Sequence, residues 1–346
     1  MASKARQLAQ SASAPDGRKN MVINGAMQVA QRSTSVSSQT TGGYKTVDRW
    51  LANASGSTFN QSQQTVPLGD STVGDFKYFL RTEITTGDDN AGLLYRIEDV
   101  QSVPEGTVTV SFYAKGTNPN SGHIEFIARQ DFGTGGSPSS TVSQTAQDVT
   151  LTSSWQRFSL QITVPSISGK TLGTNGDSFY QLRFTQPSDD DNSAAWTLDI
   201  TGVQLEVGSV ATEFEHRSFA EELALCQRYY QKFEGTTTNY ESITVGYNQG
   251  TGNHVGVLYT NVPIRSNGVA VETTGTASDY VILHQSQVQN LTSVPVLYAY
   301  ASIPQNDEIV NVTLTGTTGS GLTAEGGSIL SFTNSAGKTL ALEDEL

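Results

Sequence analysis

The chain has 346 residues, only 15% of them charged, and a formal net charge of −13. An acidic surface of this kind repels phosphate backbones, which argues against a nucleic-acid partner, and no apolar run approaches the ~18–20 residues of a membrane-spanning helix. The single cysteine, Cys226, excludes an internal disulfide and a cysteine-based zinc site.

Residues 1–19 differ from the rest of the chain. Lys4, Arg6, Arg18 and Lys19 face only Asp16, so the segment is basic on an acidic protein. Ala2 to Gln10 favours a short helix, and Ser11 to Gly17 reads as a linker. The segment is too short for a core of its own. Two readings stand: a disordered tail, or an attachment arm that orders on an acidic partner surface through Lys4, Arg6, Leu8, Arg18 and Lys19. It contains no apolar signal region, so synthesis in a cytosol is expected.

Residues 20–217 read as one β-domain. Val108, Val110, Phe112 and Ala114 alternate with polar neighbours, as do Ile124 and Phe126, Phe158 to Val164, and Tyr180 to Phe184. Many short strands between turn residues indicate a sandwich or jelly roll. Trp196, Leu198 and Ile200 predict another strand, Thr201-Gly202 a turn, and Val203, Leu205 and Val207 a strand after it. Ser218 and Glu221 then have capping-box spacing for a helix over 218–233. Phe219, Leu223, Cys226 and Tyr230 would share its buried face. Residues 234–346 read as a smaller β-sandwich, with Val255, Val257 and Tyr259 on the core side of one strand. Tyr280, Ile282, Val296, Val312 and Leu314 are further core candidates.

Catalytic signatures are scarce. The chain has no H-E-x-x-H, no complete P-loop and no G-x-S-x-G elbow. Its four histidines, at 123, 216, 254 and 284, show no ligand or triad spacing, and a non-enzyme is expected. Calcium is the one cofactor the loops invite, through Asp189, Asp190, Asp191, Asp199 and Glu206, although no EF-hand loop is present.

Several motifs carry a resemblance. Asn20-Met21-Val22-Ile23-Asn24-Gly25, followed by Gln31-Arg32, resembles the opening of many bacteriophage tail-fibre and receptor-binding proteins. Tyr44 with Asp48-Arg49-Trp50, Arg96-Ile97-Glu98, Ser111 to Lys115, Trp155 to Phe158 and Gly169 to Gly173 continue it in that family's order. Val203 to Gly208, Ala211 to Glu215 and Cys226 to Tyr230 close it. The resemblance implies a jelly roll like carbohydrate-binding modules, then a smaller β-domain, in a virion appendage that is usually trimeric.

The expected fold is therefore mainly β: an N-terminal arm over 1–19, a jelly-roll β-sandwich over 20–217, one connecting helix over 218–233 and a smaller β-sandwich over 234–346. The expected role is a tail fibre or receptor-binding protein on a host surface glycan. The alternatives are a capsid decoration or head-fibre protein without a host ligand, and a glycan depolymerase. Sugars are held by aromatic faces and planar polar groups. Alternation points Arg96, Glu98, Tyr113, Gln181 and Arg183 away from the core, where they could share one sheet face. An ordinary solvated face, or one meeting a neighbouring subunit, is the alternative. Trp50, Trp155 and Trp196 sit in core patterns.

Overall fold

Period-two alternation becomes long antiparallel ladders. The computed structural model describes residues 19–54, 56–86, 91–187, 195–235, 240–265, 268–285, 287–298, 308–333 and 337–346. They fall into two units, Met1–Cys226 with Leu346, and Gln227–Glu345.

The strands of the first unit are β1 Ser35–Gln39, β2 Gly43–Tyr44, β3 Trp50–Asn53, β4 Thr58–Thr65, β5 Tyr78–Thr86, β6 Gly92–Glu98, β7 Gly106–Thr117, β8 Ile124–Asp131, β9 Val142–Ser143, β10 Gln147–Val149, β11 Gln156–Val164, β12 Phe179–Thr185 and β13 Trp196–Val207. One sheet runs β1-β4-β5-β13-β7-β11; the other runs β10-β8-β12-β6-β3-β2, with β9 on β8. The two form a jelly-roll sandwich. Its core joins Phe112, Leu198 and Leu205 of the first sheet to Trp50, Tyr95, Phe126 and Phe184 of the second. Trp50 lies 4.9 Å from Tyr95 between ring centroids, a tilted pair. Trp50, Trp155 and Trp196 are all buried.

The turn expected at Thr201-Gly202 does not form. β13 is one continuous strand, and the register against β7 steps from Thr201↔Tyr113 to Gln204↔Ser111. That is one extra residue on β13, a β-bulge. It explains why inward residues change parity, from Leu198 and Ile200 to Val203 and Leu205. Gly202 sits at φ 61°, and a Cβ there would meet the Phe76 ring at 2.5 Å.

The segment 20–31 is tied to β13 and β3 by side-chain hydrogen bonds. Asn20 Oδ1 accepts from the Leu205 amide at 3.1 Å, and its Nδ2 donates to the Val203 carbonyl at 3.2 Å. Asn24, at φ 58°, accepts from the Val29 amide and donates to the Val29 and Asp48 carbonyls. The Trp50 indole donates to the Asn24 carbonyl at 3.1 Å. Asp48 accepts from the Gln31 amide at 2.9 Å. The opening motif is thus a structural lock.

Helix α1 spans Phe219–Gln227 and starts with the expected reciprocal cap: Ser218 N to Glu221 Oε2 at 3.0 Å, and Glu221 N to Ser218 Oγ at 3.3 Å. It ends earlier than expected, because Tyr230–Gly235 is strand β14. The expected apolar face also fails. Phe219 is exposed and Leu223 half-buried, while Glu222 and Cys226 are buried. Polar chemistry pins the helix instead. Glu222 Oε1 accepts from the Asn24 amide at 2.6 Å and from Arg217 Nη1 at 3.2 Å. Arg217 Nη1 also donates to the Val22 carbonyl at 2.9 Å.

The second unit continues with β15 Ser242–Gln249, β16 Asn253–Arg265, β17 Ala270–Thr273, β18 Tyr280–His284, β19 Gln287–Asn290, β20 Val296–Leu297, β21 Glu308–Thr317, β22 Gly327–Phe332 and β23 Lys338–Glu343. A small sheet, β14-β23-β17, packs Leu340 and Leu342 against Tyr280, Ile282, Leu258, Leu314 and Leu330 of the sheet β19-β18-β22-β15-β16-β21-β20. Val255 of β16 is buried as expected, but beyond it the facing is the reverse of the expected one. Leu258 points into the core, whereas Val257 and Tyr259 lie in solvent, as does Val296 on β20.

Candidate functional site

The inward side of β12 is Tyr180, Leu182 and Phe184, so Gln181 and Arg183 stand on the opposite side of the sheet. The same parity on β6 puts Arg96 and Glu98 there, and on β8 Glu125, Arg129 and Asp131. Register then aligns three residues: Gln181 is opposite Arg96 on one flank and opposite Arg129 on the other. The row spans roughly 10 Å, two strand spacings, with Arg183 and Glu98 two residues along its strands.

Four of the five expected face residues, Arg96, Glu98, Gln181 and Arg183, therefore share a face. Tyr113 does not. It lies on β7 in the other sheet, packed on Phe76 at 5.6 Å and under Arg157. Alternation shows which side of a strand faces solvent but not which sheet holds the strand. Arg129 was missed, although the inward Ile124, Phe126 and Ala128 of its strand already placed it outward.

The face is dense in guanidinium groups. Arg96 lies over the Phe179 ring at 4.5 Å, and its Nη1 donates to the carbonyl of Leu346, which belongs to this unit. Burial holds Arg129 below the ordinary arginine value; Asp131 opposes this and Arg96 adds to it. Burial, then the Arg129 charge, lowers Arg183 in the same way. Both remain cations at neutral pH. The Nε–H groups of Arg96 and Arg129 are buried and meet no acceptor among the described residues. Gln181 is buried between its neighbours. Flat guanidinium and amide groups beside carboxylates suit a ligand with many hydroxyls.

Of the expected calcium set, the two described members, Asp199 and Glu206, are engaged by other partners. Asp189, Asp190 and Asp191 lie outside the described residues. Asp199 is taken by Arg81 in a two-pronged pair, 2.8 Å at each oxygen, with Lys115 at 3.9 Å. Glu206 accepts from Gln204, the Thr212 amide and the Thr212 hydroxyl. Among the described residues, one other group could hold a metal: His123, Glu125 and Asp148, whose ligand atoms lie within 4.8 Å of one another. His123 Nε2 and Asp148 Oδ1 are 3.4 Å apart.

In the second unit, His254 Nδ1 is 2.7 Å from Ser328 Oγ, and its Nε2 is 2.8 Å from Thr244 Oγ1. The pairing has the form of a nucleophile and base, but all three side chains are buried. Burial pushes His254 down to about 4, so it is neutral at pH 7. The trio satisfies its own polar atoms inside the core.

Of the arm residues, Lys4, Arg6, Leu8 and Arg18 lie outside the described residues. Lys19 is fastened to the body of the first unit, its ammonium donating to Thr212 Oγ1 at 2.6 Å and to the Glu213 carbonyl.

No protein-family model and no curated protein matches the chain. Solved structures similar to it include a CBM4 module, 18% identical over 42% of this chain and 93% of that one, with a TM-score of 0.28. The CBM22-2 xylan-binding domain of Paenibacillus barcinonensis Xyn10C is 13% identical over 46% of this chain and 92% of that one, at 0.30. The enzymatically active domain of bacteriophage CBA120 tailspike protein 4 is 14% identical over 54% of this chain and 21% of that one, at 0.30.

Proposed function

We propose that the chain is a non-enzymatic virion protein, a tail fibre or receptor-binding protein, that grips host surface glycan. The grip is the outer face of the β10-to-β2 sheet of the first unit. The observation that carries this reading is the in-register row Arg96–Gln181–Arg129 with Arg183 beside it. The order of the tail-fibre-like motifs supports the virion role, residues 1–19 as the attachment arm, and a homotrimeric assembly. Titration calorimetry of the full chain against purified host glycans is the test, beside Arg129→Gln and Arg183→Gln. Each variant should weaken binding at least ~10-fold, the loss of a hydrogen bond to a charged group. Unaltered affinity in both would remove the face from the account.

One observation favours a second reading. The Leu346 carbonyl already engages Arg96, so part of this face is met by the chain itself. A capsid decoration or head-fibre protein with no host ligand would need nothing more. Saturable binding of the purified protein to host cells supports the first reading, and none supports the second.

A further inference from the structure

The second unit leaves an apolar sheet face in solvent. On the side of the larger sheet away from the core, Val288, Leu283, Ile329, Val245 and Val257 stand opposite one another on β19, β18, β22, β15 and β16. The row crosses five consecutive strands, roughly 19 Å at the usual strand spacing. Tyr247 and Tyr259 flank it two residues along β15 and β16, and Val296 lies beyond on β20. Tyr259 is 72% exposed, Val245 67%, Tyr247 49%, Val296 48%, Val288 45% and Val257 36%. Strands that alternate for a single core put polar residues on the outer side; the row across β19, β18, β22, β15 and β16 is apolar instead, and polar residues resume at Asn311, Thr313 and Thr315 of β21.

We infer that this face is where copies of this chain meet. Two features select a second copy as the occupant. The first is charge: each chain carries −13, so two copies repel wherever their acidic surfaces approach. The seven strands hold only two residues of fixed charge, Arg265 and Glu308, opposite one another at one end. The second is area. Weighted by exposure, the five exposed side chains other than Val296, which Thr313 and Thr315 of β21 separate from the row, offer roughly 500 Å², against the ~800 Å² each partner gives a standard interface and within the range of the largest patch a monomer usually exposes. The inference concerns a different unit from the glycan face and stands independently of it.

Sedimentation equilibrium of the full chain over about 1–100 µM tests it, the range in which a standard interface associates. The wild type should be a discrete oligomer. The double variant Val245→Glu/Tyr259→Glu should sediment as a monomer with an unchanged circular-dichroism spectrum. Leu68→Glu, at a fully exposed apolar residue of the first unit, should associate like wild type. If the glutamates disturb the fold, Val245→Thr/Tyr259→Thr keeps strand-favouring residues and should weaken association at least ~10-fold. A monomeric wild type, or threonine and glutamate variants that associate normally, would overturn the inference. So would a monomer that binds glycan through Tyr259. Arg129→Gln should leave the oligomer intact, so failure of the glycan reading is read separately.

Discussion

Asn24→Ala removes the centre of the lock that holds the opening segment on the jelly roll. Asn24 is fully buried, and its side chain makes three hydrogen bonds of 2.8–3.0 Å. The Val29 amide loses its acceptor, a buried orphan worth about 1–3 kcal/mol. The Asp48 carbonyl loses a donor, about 1 kcal/mol more. The Val29 carbonyl keeps its bond from the Asp48 amide, so little is added there. Alanine at φ 58° contributes about another 1 kcal/mol of left-handed strain. The expected loss is about 4 kcal/mol, a large share of a domain's usual stability. All three tryptophans, at 50, 155 and 196, lie in the first unit, so their emission in a urea titration reports that unit alone. With a slope of roughly 2–3 kcal/mol/M, the midpoint should fall by about 1.3–2 M. Asn24→Gly should recover about 1 kcal/mol, the strain alone. A midpoint shift under about 0.4 M for Asn24→Ala would refute the idea that this motif is a lock.

Glu222→Ala should destabilise the first unit by about 3–5 kcal/mol, because it leaves buried Arg217 with only the more distant Glu215 carboxylate, at 3.9 Å, and orphans the Asn24 amide; the same fluorescence titration checks it. Gly202→Ala should lower the midpoint by about 1–3 kcal/mol equivalent, from its left-handed φ and the Phe76 ring in its path; an unshifted midpoint would mean that the ring moves aside freely. His254 gives the second unit a pH dependence. Its folded pKa of about 4 lies below the unfolded value of 6.5, so the unfolded chain binds more protons between the two. Stability should be full above about pH 6.5 and should fall as pH drops toward 4, by on the order of 3 kcal/mol. Hydrogen exchange on β15, β16 and β22 reads this, and His254→Asn should flatten the profile.

Strand positions were legible because alternation is a local property, and β7, β11 and β12 form where it placed them. What failed depended on contacts distant in sequence. Thr201-Gly202 reads as a turn until Phe76, far upstream, is seen filling the space beside Gly202. The helix was expected to bury Phe219 and Leu223, yet it is held by Glu222 reaching Asn24 and Arg217. On β16 the stretch Val255 to Tyr259 is apolar on both sides, so period alone cannot select the core side. The buried side proved to be the one with His254 and Gly256, whose small or polar groups pack closely. Of the candidate glycan face, Arg96, Glu98, Gln181 and Arg183 were readable from alternation. Alternation places Arg129 outward in the same way; that it joins Arg96 and Gln181 in one row needed the strand order β8-β12-β6, which no local pattern contains.

On the proposed reading the first unit grips sugar through the arginines of its β6-β12-β8 face. The most direct measurement follows the arginine Nε–H resonances of selectively labelled protein as host glycan is added. Saturable shifts are expected at Arg96, Arg129 and Arg183, with Arg81 and Arg217 unmoved in their carboxylate pairs. Glycan that binds while those three signals stay fixed would contradict it.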